Sequence, residues 1–167
     1  MKAALLGNGP SRELYLKNVS DYDTVVGCNA PWTRVDWTLV WDKEVVHTWA
    51  KDMDLIKVPT YFSRDAWATT DAIKKRDLFE PFFAGFVQRS EMYDTSGHIA
   101  CRLLIENGYK EIDLYGFDSY WEDTIESISH DIFNNRSALP ESLCDKWRKI
   151  WAKIQRTNKD VKLNFKR

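Results

Sequence analysis

Cysteine is scarce in this chain: Cys28, Cys101 and Cys144 are odd in number, far apart and outside any CxxC spacing. That excludes a disulfide framework and a thiolate zinc site, and it reads as free thiols in a reducing compartment, each a small buried hydrophobe. Histidine is equally sparse, and His47, His98 and His130 stand isolated, so no metal cluster is expected. No apolar run approaches the roughly 20 residues of a membrane span, and the opening residues lack the apolar stretch of a signal peptide. The expectation is a cytoplasmic protein without a membrane span. Internal repeats and low-complexity tracts are also missing. Net charge is close to nil, −1 with 29% of residues charged, which argues against a chain that coats nucleic acid, and no specific nucleic-acid partner is expected.

What is present is apolar and aromatic. Hydrophobic residues make up 44% of the chain and aromatics 14%, including eight tryptophans, which excludes disorder. If some of those tryptophans are exposed, a homo-oligomer would be unsurprising. A length of 167 residues points to one domain, 1–167, with a single sheet flanked by helices. Charge is unevenly placed. The segment 111–131 carries Glu111, Asp113, Asp118, Glu122, Asp123, Glu126 and Asp131 with no lysine or arginine, whereas 146–167 carries nine cations against Asp160 alone. A basic terminal segment of this kind is more often the solvated face of a helix than a docking surface.

Short apolar runs bounded by turn formers predict strands at Lys2 to Leu6, Thr24 to Cys28, Trp37 to Trp41, Ile56 to Phe62, Glu111 to Tyr115 and Val161 to Phe165. Helices are predicted between them, at Ser11 to Lys17, Lys43 to Lys51, Asp65 to Lys75 and Ser96 to Asn107. A further helix after Pro140 is signalled by Leu143, Trp147, Ile150, Trp151 and Ile154 at helical spacing, with these residues facing the core. Residues 63–94 read as packed but irregular outside the predicted helix. The alternation predicts a Rossmann-like α/β domain with a mostly parallel sheet, whose ligands bind beyond the carboxyl ends of the strands.

Polar clusters stand at those predicted ends. Gly7-Asn8-Gly9-Pro10-Ser11 follows the first strand, Asn29 the second, Asp42 the third, and Gly116-Phe117-Asp118-Ser119-Tyr120 the strand from Glu111 to Tyr115. The pentapeptide has two readings. Glycines let backbone N–H groups approach a phosphate closely, with Asn8 and Ser11 completing the hydrogen bonds; equally, Pro10 and Ser11 can start an ordinary helix after the strand. It is neither a Walker loop nor a full GxGxxG fingerprint. Thr95-Ser96-Gly97 precedes the best-supported helix, where Thr95 or Ser96 can cap and free amides can meet an anion.

Taken in order, Gly7 to Ser11, Cys28-Asn29, Thr95-Ser96-Gly97, Gly108 to Ile112 and Gly116 to Tyr120 resemble the bacterial sialyltransferases of the Campylobacter type, glycosyltransferase family 42, over about the first two thirds of the chain. The resemblance implies metal-independent, inverting transfer from a cytidine monophosphate-linked sugar to a hydroxyl acceptor, with no cofactor required. It assigns Asn8, Gly9 and Asn29 to the nucleotide, Ser96 and Gly97 to the phosphate or donor sugar, Gly116, Phe117 and Asp118 to the cytidine, and Tyr120 to the departing phosphate. His130 falls where family members carry a general base, a role that suits an imidazole titrating near neutrality.

The chain departs from the family pattern at several points. Tyr93-Asp94 replaces an arginine before Thr-Ser-Gly, Asp42 replaces an asparagine, no second tyrosine follows Tyr120 before Glu126, and the length implies a reduced or absent lid and acceptor subdomain. Two other readings remain. A Gly-Pro-Ser turn also opens the archaeal pterin pyrophosphokinase-like proteins, which would give Asp42 and Asp118 a magnesium ion to bind. Alternatively the domain binds or sequesters nucleotides without turnover. Asp52-Met53-Asp54 spells the DxD of metal-dependent glycosyltransferases but reads as a solvated loop.

Overall fold

A strand buried on both faces carries a continuous apolar run instead of an alternating one. Lys2–Leu6 is such a run, and as β1 it lies inside the sheet with Ala3, Ala4, Leu5 and Leu6 all buried. The computed structural model describes residues 1–18, 21–51, 57–123 and 142–167. His130 and Asp52-Met53-Asp54 lie outside the described residues.

The other strands are β2 (Thr24–Cys28), β3 (Trp37–Val40), β4 (Thr60–Phe62), β5 (Phe83–Phe86), β6 (Glu111–Tyr115) and β7 (Lys162–Phe165). They form one sheet in the order β5-β4-β3-β2-β1-β6-β7, with every neighbouring pair parallel. The helices are α1 (Leu14–Lys17), α2 (Lys43–Trp49), α3 (Arg64–Trp67), α4 (Thr70–Lys74), α5 (Arg76–Phe79), α6 (Ser96–Glu106) and α7 (Ser142–Thr157). This is an α/β fold of the Rossmann-like kind. Successive strands run outward from β1 to β5, and the chain then returns to place β6 on the other side of β1, so the direction of winding reverses there.

The two sheet faces are packed by different helices. Ala3, Leu5, Val26, Leu39, Ile112 and Leu114 meet Ile99, Cys101 and Leu104 of α6 and Ile150, Trp151 and Ile154 of α7. On the opposite face Val40 and Phe62 meet α2 to α5, while Ala4, Leu6 and Tyr115 meet Tyr15 of α1. The three cysteines are free and buried, and burial pushes the thiols of Cys28 and Cys101 up to about 12, so both stay protonated.

Two expectations change in the 63–94 segment. The predicted Asp65 to Lys75 helix is two helices, because Thr69 caps a new one by accepting from the Ala72 amide at 3.2 Å. The stretch read as irregular supplies β5, an edge strand whose register against β4 shifts between Thr60 and Tyr61.

Among the described residues, one buried carboxylate stands inside the sheet. Asp113 of β6, its side chain 2% exposed, accepts from Asn164 Nδ2 at 2.7 Å and Tyr22 Oη at 2.8 Å, with Lys2 and Lys166 Nζ each at 3.3 Å. Burial alone would raise this carboxyl, but the bonds from Asn164 and Tyr22 and the Lys166 charge outweigh it and hold the group below the usual carboxylate value. Asp113→Ala, which strands these partners, is expected to cost about 2–4 kcal/mol in urea unfolding. Because the folded value is depressed, the stabilisation is complete above the unfolded value near ~3.9 and is lost as pH falls through the folded one. Unfolding midpoints measured from pH 5 downward should therefore fall less steeply in Asp113→Asn than in the parent protein.

Candidate functional site

Because β1 and β6 are parallel neighbours with Leu6 opposite Tyr115, the loops that follow them leave the sheet side by side. Gly7 N–H donates to Tyr115 O at 2.7 Å and Gly9 N–H to Gly116 O at 2.8 Å. The approach excludes side chains: a Cβ on Gly116, which adopts φ +77°, would lie 2.7 Å from the Gly7 oxygen. Asp118 then clamps the pair. It accepts from the Ser11 amide at 3.1 Å and Ser11 Oγ at 2.7 Å, while Ser11 Oγ accepts from Gly116 N–H at 3.1 Å. Arg12 N–H donates to Gly9 O, so the amides of Gly7, Gly9, Ser11 and Arg12 all have acceptors within the protein. Of the two readings of Gly-Asn-Gly-Pro-Ser, the geometry is that of the strand-to-helix turn, with Pro10–Glu13 forming a short 3-10 turn that leads into α1.

The open helix start belongs to α6. Thr95 is its N-cap, and Thr95 and His98 form a reciprocal capping box in which Thr95 N–H donates to His98 Nδ1 at 3.0 Å. That bond assigns the ring proton to Nε2, which faces the Trp147 carbonyl at 3.3 Å and so ties α6 to α7. His98 is 1% exposed, and burial lowers its pKa to about 3. The box satisfies Thr95 and His98, while the amides of Ser96 and Gly97 have no intrahelical acceptor. Opposite them, Asn29 is held at φ +62°, with Ser96 Oγ donating to its Oδ1 at 3.2 Å. Asn8 Nδ2 donates to Cys28 O at 3.1 Å, leaving its buried Oδ1 without a partner among the described residues.

These elements surround a cleft of about 870 Å³ at the carboxyl ends of β1, β2, β3 and β6. Of the residues singled out from sequence, Gly7, Asn8, Gly9, Asn29, Asp42, Thr95, Ser96, Gly97, Gly116, Phe117 and Asp118 line it. Ser11 and Tyr120 do not. Ser11 is held in the clamp, and Tyr120 stacks on Phe165 of β7 with ring centroids 3.8 Å apart and planes 6° from parallel. Arg148 of α7 fixes that turn by donating from Nε to the carbonyls of Ser119 and Tyr120 and from Nη2 to that of Glu122.

Sequence reasoning missed the outer wall: Trp41, Arg89, Met92, Tyr93 and Trp147 also line the cleft. The helical spacing of Trp147 and Trp151 placed both toward the core. Trp151 is there, 1% exposed, and it reaches the cleft as well. Nothing around Arg89 marked it. Its guanidinium lies 4.5 Å from the Trp41 ring, and it is the one arginine or lysine among the described lining residues. Asp94, which directly precedes Thr95-Ser96-Gly97, is an anchor: its Oδ2 accepts from the amides of Ser90 and Glu91 and from Arg102 Nη1. For the magnesium reading, the Asp118 carboxylate is turned to Ser11, and among the described residues no group of three or more His, Cys, Asp or Glu side chains is placed to hold a metal ion.

The clamp should appear as non-additivity. A double-mutant cycle of Ser11→Ala and Asp118→Ala in urea unfolding is expected to give a coupling of about 1–2 kcal/mol, and additive losses would remove the clamp from the stability of the site. The lowered pKa of His98 has its own signature. The unfolded imidazole takes up a proton near pH ~6.5, whereas the folded one does not until about 3, so stability is complete above the unfolded value and declines as pH falls between the two. The slope contributed is at most about 1.4 kcal/mol per pH unit. His98→Gln keeps a capping-box residue without a titrating ring, and its unfolding free energy should vary less over this range. No family model matches this chain, and no curated protein matches it either.

Proposed function

We propose that the cleft binds a nucleotide-activated sugar, with cytidine monophosphate as the carrier, and supports metal-independent inverting transfer of the sugar to a hydroxyl acceptor. The observation that carries this reading is the start of α6, where Ser96 and Gly97, whose amides have no intrahelical acceptor, line a cleft of nucleotide-sugar size with Arg89 on its wall. A helix start offers directed N–H donors and a favourable dipole to a phosphate. In the transfer, the acceptor oxygen bonds to the anomeric carbon from the face opposite the phosphate. The bond from that carbon to the phosphate oxygen breaks, and the electron pair leaves with the nucleotide. Donors fixed on that oxygen lower the barrier because its charge grows in the transition state.

The role given by resemblance to Tyr120 passes in this reading to Ser96, Gly97 and Arg89. His130 keeps its resemblance-based role as the base that takes the acceptor proton. A second reading, a nucleotide binder without transfer, is favoured by the seat of Tyr120 on Phe165, away from the cleft lining.

Calorimetric titration of cytidine, uridine, adenosine and guanosine monophosphates, with and without magnesium, tests the proposal. Cytidine monophosphate is expected to bind without metal, and Arg89→Ala to weaken it about tenfold, the equivalent of ~1.4 kcal/mol. Indifference to the base would overturn the cytidine assignment. Donor turnover separates the two readings: a transferase loses turnover in His130→Ala with nucleotide affinity retained, whereas a binder shows none in either protein.

A further inference from the structure

The two edges of the sheet differ in charge. β7, at one edge, carries Lys162 and is followed by Lys166 and Arg167, cations of the kind that keep an edge strand from pairing with another chain. β5, at the other, reads Phe-Ala-Gly-Phe with no charge, and Phe83, Ala84 and Phe86 are exposed. Val87 N–H donates to Phe62 O at 3.0 Å, which in a parallel ladder turns the N–H and C=O of Phe86, the register partner of Phe62, away from β4. The edge is open.

Aromatic rings gather beside it. With the register shift against β4, Phe83 and Phe86 share a face, their rings 5.0 Å apart and 4.7 and 6.4 Å from the Trp67 ring of α3. Phe83 and Phe86 are nevertheless 37% and 40% exposed, whereas Phe62 and Phe79 beneath them are 1% and 2%. Ile73 of α4 and Leu78 of α5, helices of the same face, are each more than half exposed. Clustered apolar surface next to an open strand edge is the composition of a contact between chains.

We propose that the occupant is a second copy of this chain, with the two β5 strands antiparallel about a two-fold axis and Trp67, Phe83 and Phe86 packed against their counterparts. Charge selects this partner. Over 64–80, four lysines and arginines are matched by four aspartates and glutamates, so the surroundings carry no net field to draw nucleic acid or a strongly charged peptide. The two signs also stand at opposite ends of β5. Glu80 precedes the strand, while Arg64, which follows β4, lays its guanidinium 4.6 Å from the ring of Phe86 at the far end. A two-fold axis exchanges those ends, so Glu80 of each copy meets Arg64 of the other.

Sedimentation equilibrium on the full chain tests this, with circular dichroism to show that each variant is folded. A concentration-dependent dimer is expected. Ala84→Lys places on β5 the kind of cation that β7 carries and should weaken the dimer at least about tenfold. Arg64→Glu and Glu80→Arg should each weaken it, and the two together should recover most of the loss, which damage to the fold would not do. A monomer at every concentration up to about 100 μM overturns the proposal and leaves the face to an occupant of another kind. A dimer indifferent to Ala84→Lys places the contact elsewhere, and charge reversals that do not rescue each other remove the antiparallel pairing; either result overturns the proposal.

Discussion

Two backbones meeting without side chains between them organise this end of the protein. β1 and β6 are neighbours across the point where the winding of the sheet reverses, and their following loops close to hydrogen-bonding distance through Gly7, Gly9 and Gly116. At Gly7 and Gly116 a Cβ would come within 3 Å of the other loop's backbone. Asp118 then occupies the helix start after β1, satisfying the Ser11 amide and hydroxyl with one carboxylate. The floor of the cleft depends on this contact. Phe117, set between the clamp and α6, packs edge-on against Trp151 with centroids 5.4 Å apart, and a Cβ on Gly97 would lie 2.3 Å from its ring.

Closing one helix start by an internal carboxylate gives the cleft its polarity. A free amide cluster after β1 would attract an anion; with Asp118 bound there, the attraction moves across to α6, where Thr95 and His98 satisfy each other and leave Ser96 and Gly97 toward the cleft. Asp94 and Arg102 hold the chain entering α6 by a buried charge-assisted bond at 2.7 Å, and His98 carries the same helix onto Trp147. The site is therefore assembled from contacts between α6, α7 and the β6 loop as much as from strand ends. The uneven charge of the sequence has a structural use here as well. Arg148 of the basic α7 grips the acidic turn after β6, and Lys166 approaches Asp113 of β6 itself.

Most of the sheet could be read from local pattern because buried parallel strands are short apolar runs, and β1, β2 and β6 fall where those runs stand. β5 was hidden for a physical reason. Phe83, Ala84, Gly85 and Phe86 neither alternate nor stay buried, and the strand owes its place to pairing with β4 across a register shift. The break between α3 and α4 depends on which way the Thr69 hydroxyl turns, which composition does not disclose. The glycine and polar motifs were legible as a set, but their duties were not: Asp118 holds Ser11, and Tyr120 lies on Phe165. Arg89 left no mark, since an arginine after an edge strand resembles any solvated cation until Trp41 is seen beneath it.

By itself the sequence determined the parallel α/β class, the strand ends on which polar residues collect, and the capped start of α6, because each follows from periodicity or from side chains acting within a few residues. Tertiary structure alone decided which of those ends face one another and which donors stay open. That choice depends on contacts between residues about a hundred positions apart, Gly9 with Gly116 and Ser11 with Asp118, and no local propensity encodes them.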